Sequence, residues 1–272
     1  MRHKTNRIIQ KVSFLYVNES RIFGHMKKHL TFLLLLILNV FTISAQTKKV
    51  ALTSFWVNKH INFEQLGGAA GLAASVATLS ESPDFNLQPV LDSFYSVFMN
   101  DFATQFPFEL LDEDIVLNDE DYQNYQGRFN ESDDKDRGLF LQRFLVPKTY
   151  KPLQESLFKT KKSNQMQMVN LFKDRADGVM FVSMGYEFIK KPLPFTAGIR
   201  AYCRIKIWNK KGKRVVTVNE YAKSKKSIPI IAGIPVMKPE KLLPMCIDSS
   251  NELIEDLHRR LKKITRKAAK KL

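Results

Sequence analysis

Two neighbouring stretches, "ADGVMFVSMGYEF" (176–188) and "AGIRAYCRIKIWNKKGKRVVTVNEYAKS" (197–224), decide the fold. In the first, Asp177-Gly178 stands ahead of an apolar run that reads as a strand. The second reads as a long β-hairpin, two strands joined by a Gly-containing loop from Asn209 to Lys213. Strand side chains alternate, so Ile199, Ala201, Cys203, Ile205 and Ile207 share the core face. Arg200, Tyr202, Arg204, Lys206 and Trp208 take the other.

Upstream, "KKVALTSFWV" (48–57) is β-branched and aromatic and reads as a first strand. From Gln88 to Phe106, Val90, Leu91, Phe94, Val97, Phe98 and Phe102 recur at helical spacing, with Pro89 in the first turn. "PFELLDED" and "DIVLN" suggest a short strand. Asn118 or Asp119 caps a small helix closed by Gly127, and "SNQMQMVNLFKDRA" (163–176) reads as an amphipathic helix. "IPIIAGIPVMKPEKLLP" is a Pro-punctuated apolar connection. A final helix is expected from about Ser250, where Ser249 and Glu252 stand at capping-box spacing. The fold class is therefore α/β, tending to α+β: one mixed β-sheet covered by helices, with a long C-terminal β-hairpin and a terminal amphipathic helix.

These elements carry a resemblance. The first strand, "ADGVMFVS", the hairpin with Lys211-Gly212 in its turn and the terminal helix resemble the periplasmic family that includes the curli-pore lipoprotein and the lipoprotein activators of penicillin-binding proteins. The resemblance covers residues 48–265 and implies fold and compartment only. The lipidated Cys of that family is missing, so neither anchoring nor pore formation is implied.

The N-terminal region points to the same compartment. In "MKKHLTFLLLLILNVFTISAQTKK" (26–49), Lys27 and Lys28 precede an apolar run from Leu30 to Ile43, followed by Ser44 and Ala45. That is the order of a secretory signal peptide, whose apolar core spans about 7–15 residues. A spanning helix needs roughly 18 or more. Residues 1–25 then read as an upstream extension before the true start at Met26, residues 26–45 as the signal peptide, and 46–272 as a single mature α/β domain with a basic C-terminal tail. An anchored protein with a basic cytoplasmic tail is the alternative. The expected location is exported, periplasmic or extracellular in a Gram-negative envelope, and soluble or peripherally membrane-associated.

A 227-residue mature chain buries enough surface to need no staple. Of its two cysteines, Cys203 reads as a buried thiol on the core face of its strand, and a disulfide between Cys203 and Cys246 is left open. The mature chain carries 36 basic and 26 acidic residues, and the charges are segregated. Residues 81–136 sum to −13 and residues 137–272 to +21. Either the basic half meets an anionic partner, or the two halves lie together and partly cancel.

The sequence carries no recognisable catalytic pattern. The mature chain has two histidines, His60 and His258, with no HExxH, CxxC or phosphate-loop pattern. Ser183 in "FVSMGY" lacks the Gly of a nucleophile elbow and reads as a strand residue. The acidic runs "LLDEDIVLNDEDYQ" and "NESDDKDRG" lack calcium-loop spacing and read as solvated faces, with calcium a minor alternative. "LGGAAGLAASVATLS" (66–80) reads as a buried small-residue helix or loop, or else as an interaction element.

The sequence thus points to an exported, non-enzymatic binding or adaptor protein without a cofactor. An envelope hydrolase with an unrecognised carboxylate site is the alternative. The expected partner is another envelope protein or an anionic lipid or polymer surface; nucleic acid is not expected, and homo-oligomerisation stays open. The candidate contact residues are Arg259, Arg260, Lys262, Lys263, Arg266, Lys267, Lys270 and Lys271, which crowd the end of the last helix. Eight bases in the last 14 residues exceed what the helix dipole can use. Leu253, Leu257, Leu261, Ile264 and Ala268 share one face of the helix, which is expected to dock through that face to about Ile264 and leave the remaining tail free for that contact. Intact-mass measurement of the exported protein should give a chain beginning at Gln46 or Thr47; recovery of residues 1–25 in that product would refute the processing.

Overall fold

The computed structural model describes residues 47–66, 70–127, 143–156, 160–266 and 268–272. The expected extension, signal peptide and "NESDDKDRG" loop lie outside the described residues. Thr47–Leu272 forms one compact unit.

Its centre is a mixed sheet of eight strands. β1 (Lys49–Asn58) runs parallel to β4 (Gly178–Lys190), which pairs antiparallel with β5 (Thr196–Asn209), and β5 with β6 (Arg214–Lys223). On the far edge of β1 lie two short strands, β2 (Glu109–Leu110) and β3 (Phe144–Leu145). β7 (Ile228–Ile231) extends the edge of β5 and pairs with β8 (Ile234–Pro235). The mixed sheet, the long hairpin and the alternation along β5 are as expected. Ile199, Ala201, Cys203, Ile205 and Ile207 are fully buried, while Arg204 is exposed.

Six α-helices lie among the described residues: α1 (Ala70–Glu81), α2 (Gln88–Val97), α3 (Glu113–Leu117), α4 (Glu120–Asn124), α5 (Asn164–Phe172) and α6 (Pro239–Thr265). α2 passes into a wider π turn, Phe98–Phe102. Phe94, Phe98 and Phe102 are spaced by four, a spacing that drifts around an ordinary helix; the wider turn keeps all three buried. Phe98 meets Phe55 of β1 edge-on at 5.3 Å. α6 lies across β5 and β6 on this same face. Cys203 and Cys246 are both free and buried, and burial raises both thiol pKa values.

Several local expectations are corrected. "DIVLN" is helical, not a strand: the Asp112 carboxylate accepts from the Asp114 N–H at 3.0 Å, and this cap outweighs the β-branched pair Ile115-Val116. The apolar connection is a hairpin, because Ala232 and Gly233 both hold positive φ (51° and 82°), the turn that joins two antiparallel strands tightly. The last helix begins at Pro239, not Ser250. Leu242, Met245 and Cys246 bury a full extra stretch against the sheet, and this outweighs Pro244 inside the helix. Ser249 and Ser250 therefore cap nothing. Both hydroxyls donate to the Cys246 carbonyl, at 3.1 and 2.7 Å, and Ser250 also bonds the Tyr186 hydroxyl at 2.8 Å.

The C-terminus is also more tightly held than expected. Docking does not stop near Ile264: Thr265 and Ala268 are buried, and Leu272 packs against the core. Asn209 Nδ2 donates to the Lys271 carbonyl at 2.9 Å. These contacts converge on Gly178, where an added Cβ would strike the Trp208 carbonyl and lie 2.7 Å from Leu272 Cδ2.

Two outcomes follow. Ile205→Asp puts an unpaired charge into the core and should cost more than about 3 kcal/mol, whereas Arg204→Asp should stay within about 0.5 kcal/mol; equal denaturant midpoints would contradict this register. Deleting residues 265–272 should lower Tm by about 5 °C or more by thermal melting, and an unchanged Tm would mean the tail is not docked.

Candidate functional site

The described residues cover the face of the sheet opposite α2 and α6 only in part. α5 packs over β4 and β5 at one end, where Phe181 and Trp208 meet at 4.8 Å. Beside it, the chain around Lys151–Glu155 is fastened to β1. The Leu153 carbonyl accepts from Trp56 Nε1 and Ser54 Oγ, both at 3.2 Å, and the Leu153 N–H donates back to Ser54 Oγ at 2.9 Å. Between these covers a pocket of about 270 Å³ opens on the sheet.

Its floor comes from three strands: Trp56 and Asn58 of β1, Phe181 and Ser183 of β4, and Tyr202, Arg204 and Lys206 of β5. Leu153, Gln154 and Glu155 form one wall. Register explains the convergence, since Ser183 pairs with Trp56 on one side and Arg204 on the other. Gly185 contributes by what it lacks: an added Cβ would collide with the Tyr202 hydroxyl, so only glycine lets that ring lie across β4.

The electrostatics favour an anion. Among the described lining residues Glu155 is the one carboxylate, and it is held by Lys206 Nζ at 2.6 Å and Arg214 Nη1 at 3.0 Å. The exposed Arg204 has no ion-pair partner among the described residues, and its guanidinium stacks 4.7 Å from the Tyr202 ring centroid. Burial, more than any neighbouring charge, raises the Tyr202 pKa, so this hydroxyl stays a neutral donor at physiological pH. Behind it, Arg200 Nε bonds Glu187 at 2.5 Å and its guanidinium stacks 4.9 Å from Tyr221.

The C-terminal bases do not form one free patch. Arg260 reaches back to Glu220 of β6 at 2.6 Å, and Arg259 pairs with Asp256 on its own helix. Lys262, Lys263, Arg266, Lys270 and Lys271 are exposed, and Lys267 lies outside the described residues. Some acid–base pairing does join the two halves: Asp119 meets Arg175 at 2.5 Å, and Glu113 meets Lys148. Burial opposes ionisation of Glu113, but bonds from Lys148 and Tyr95 win and hold its carboxyl below the ordinary range. The histidines lie apart, His60 after β1 and His258 on α6 with its ring 4.7 Å from Phe102.

Sequence alternation had put Tyr202, Arg204 and Lys206 on the non-core face. It missed Trp56, Asn58, Ser183 and Glu155 as their neighbours, because nothing local in "LVPKTYKPLQES" says that it crosses the sheet.

No protein-family model matches the chain, and no curated protein matches it. A solved structure, that of the hypothetical protein CT253 from Chlamydia trachomatis, is similar over 80% of this chain and 98% of its own, at 10% identity and a TM-score of 0.27. A likeness of that size gives neither a family nor a function. No helix among the described residues is long and apolar enough to cross a membrane.

Proposed function

We propose that this chain is an exported, non-enzymatic binding protein of the Gram-negative envelope. In this reading the sheet-face pocket takes a carboxylate-bearing group of an envelope polymer or partner protein. The carrying observation is Arg204, a cation with no ion-pair partner among the described residues, stacked on Tyr202 in a pocket where Glu155, the one carboxylate among the described lining residues, is already neutralised. A guanidinium so placed can grip a carboxylate with two parallel hydrogen bonds, while Trp56 and Phe181 supply apolar walls. The hydrolase alternative draws less support, since Glu155 is tied to two cations and faces no second carboxylate among the described lining residues. The signal-peptide pattern and the resemblance to the periplasmic family support the compartment.

The test uses polygalacturonate and poly-glutamate as carboxylate probes in titration calorimetry. Arg204→Ala should weaken binding about tenfold or more, in line with the loss of a charge-assisted bond. Lys270→Ala with Lys271→Ala should bind like the parent. Equal affinities of Arg204→Ala and the parent for both probes would overturn the pocket reading.

A further inference from the structure

The largest exposed apolar side chains gather at one end of the molecule. Leu193 and Phe195, in the turn between β4 and β5, are 66% and 80% exposed, and Ile231, at the tip of the β7–β8 hairpin, is 65% exposed. The two tips are joined by backbone. Thr196 pairs with Pro229, and the Ile230 N–H donates to the Phe195 carbonyl at 2.7 Å. Phe195 and Ala232 hold left-handed backbone, at φ 57° and 51°, unusual for residues with a side chain. Thr196 Oγ1 donates to the Leu193 carbonyl at 2.6 Å, so the turn is shaped from within. Gly233 has open space around it. An aromatic ring is thus held outward on an ordered projection.

The rim of this projection is basic. Residues 189–197 and 223–241 hold seven lysines and one acid, Glu240. Lys191 donates to the Ser224 carbonyl and Lys225 pairs with Glu252. Lys190, Lys223, Lys226 and Lys238 are exposed and have no ion-pair partner among the described residues. An apolar tip flanked along the chain by exposed lysines, of which Lys225 meets the acids Asp248 and Glu252, matches the boundary of an anionic bilayer, with acyl chains for the tip and headgroups for the free lysines. A second copy fits poorly, because it would set lysines against lysines. Two turns also offer too little area for a stable dimer, which needs about 800 Å² per partner.

We infer that the paired turns at Leu193–Phe195 and Ile231–Gly233 form a peripheral membrane-docking tip that inserts into an anionic lipid surface. The inference stands apart from the pocket and uses none of its residues.

The test is co-sedimentation of the exported protein with vesicles of phosphatidylethanolamine and phosphatidylglycerol, against vesicles of phosphatidylcholine. Binding should favour the anionic vesicles and weaken with salt. Leu193→Asp with Phe195→Asp should reduce it about tenfold or more, as expected for withdrawing two apolar side chains. Arg204→Ala should bind vesicles like the parent, which separates this result from any failure of the pocket. Trp56 and Trp208 are buried. Brominated acyl chains should therefore quench the added fluorescence of Phe195→Trp and leave the parent's unchanged. Undiminished binding by the double Asp variant, or no quenching of Phe195→Trp on bound vesicles, would overturn the inference. So would a lipid-free dimer that the double Asp variant dissolves, or capture of an acidic protein partner by the tip with no affinity for vesicles.

Discussion

The close approach at Asp177-Gly178 is the constraint on which the rest of this structure depends. The Asp177 N–H donates to the Lys49 carbonyl at 2.7 Å, and its carboxylate accepts from the Lys49 N–H at 3.0 Å. The Asp177 carbonyl accepts from the Lys210 N–H at 3.0 Å. One residue thereby starts the parallel pair β1–β4 and closes the end of the β4–β5 ladder. Burial opposes the Asp177 charge, but the Lys49 N–H, Lys210 and Lys48 favour it and hold its carboxyl below the ordinary range. Gly178 then leaves room for the Trp208 carbonyl and for Leu272, so the C-terminus seals the same corner.

From that corner the two faces of the sheet take different roles. One face carries Met180, Val182, Met184, Tyr186 and Phe188 into the same buried core as the apolar side of α6, Phe94 of α2 and Phe98 and Phe102 of its π turn. Buried hydroxyls there are tied into the fold, as in the Tyr186–Ser250–Cys246 chain of hydrogen bonds. The other face is covered by α5 and the Leu153 segment only in part, and the uncovered remainder holds aromatic rings, arginines and hydroxyls. A sheet can stay stable with one well-packed face, which leaves the second free to bind.

Charge is distributed on the same plan. The bases that build the fold are paired, as Arg260 is with Glu220 and Arg175 with Asp119. Among the described residues, bases without such partners include Arg204 at the pocket, Lys262, Lys263, Lys270 and Lys271 at the end of the chain, and Lys190, Lys223 and Lys226 near the Leu193–Phe195 turn. The proposed functions draw on this second set, whose charge is not consumed by the fold.

The amino-acid sequence by itself determined β1, β4 and the β5–β6 hairpin as strands and the inward face of β5, because apolar runs, period-two alternation and a Gly-bearing turn are local signals. It also determined the apolar stripe of Leu253, Leu257 and Leu261 on the last helix. Tertiary structure decided what local signals could not. The helix reaches back to Pro239 because Leu242, Met245 and Cys246 find the core, although Ser249 looks like a cap when read alone. The tail is docked because Leu272 meets Gly178, 94 positions away along the chain. The candidate pocket was half legible: alternation exposed Tyr202, Arg204 and Lys206, but Trp56, Ser183 and Glu155 join them through strand register and a crossing segment. Such contacts are long-range. They follow from which surfaces find one another, and no spacing within a single stretch records that.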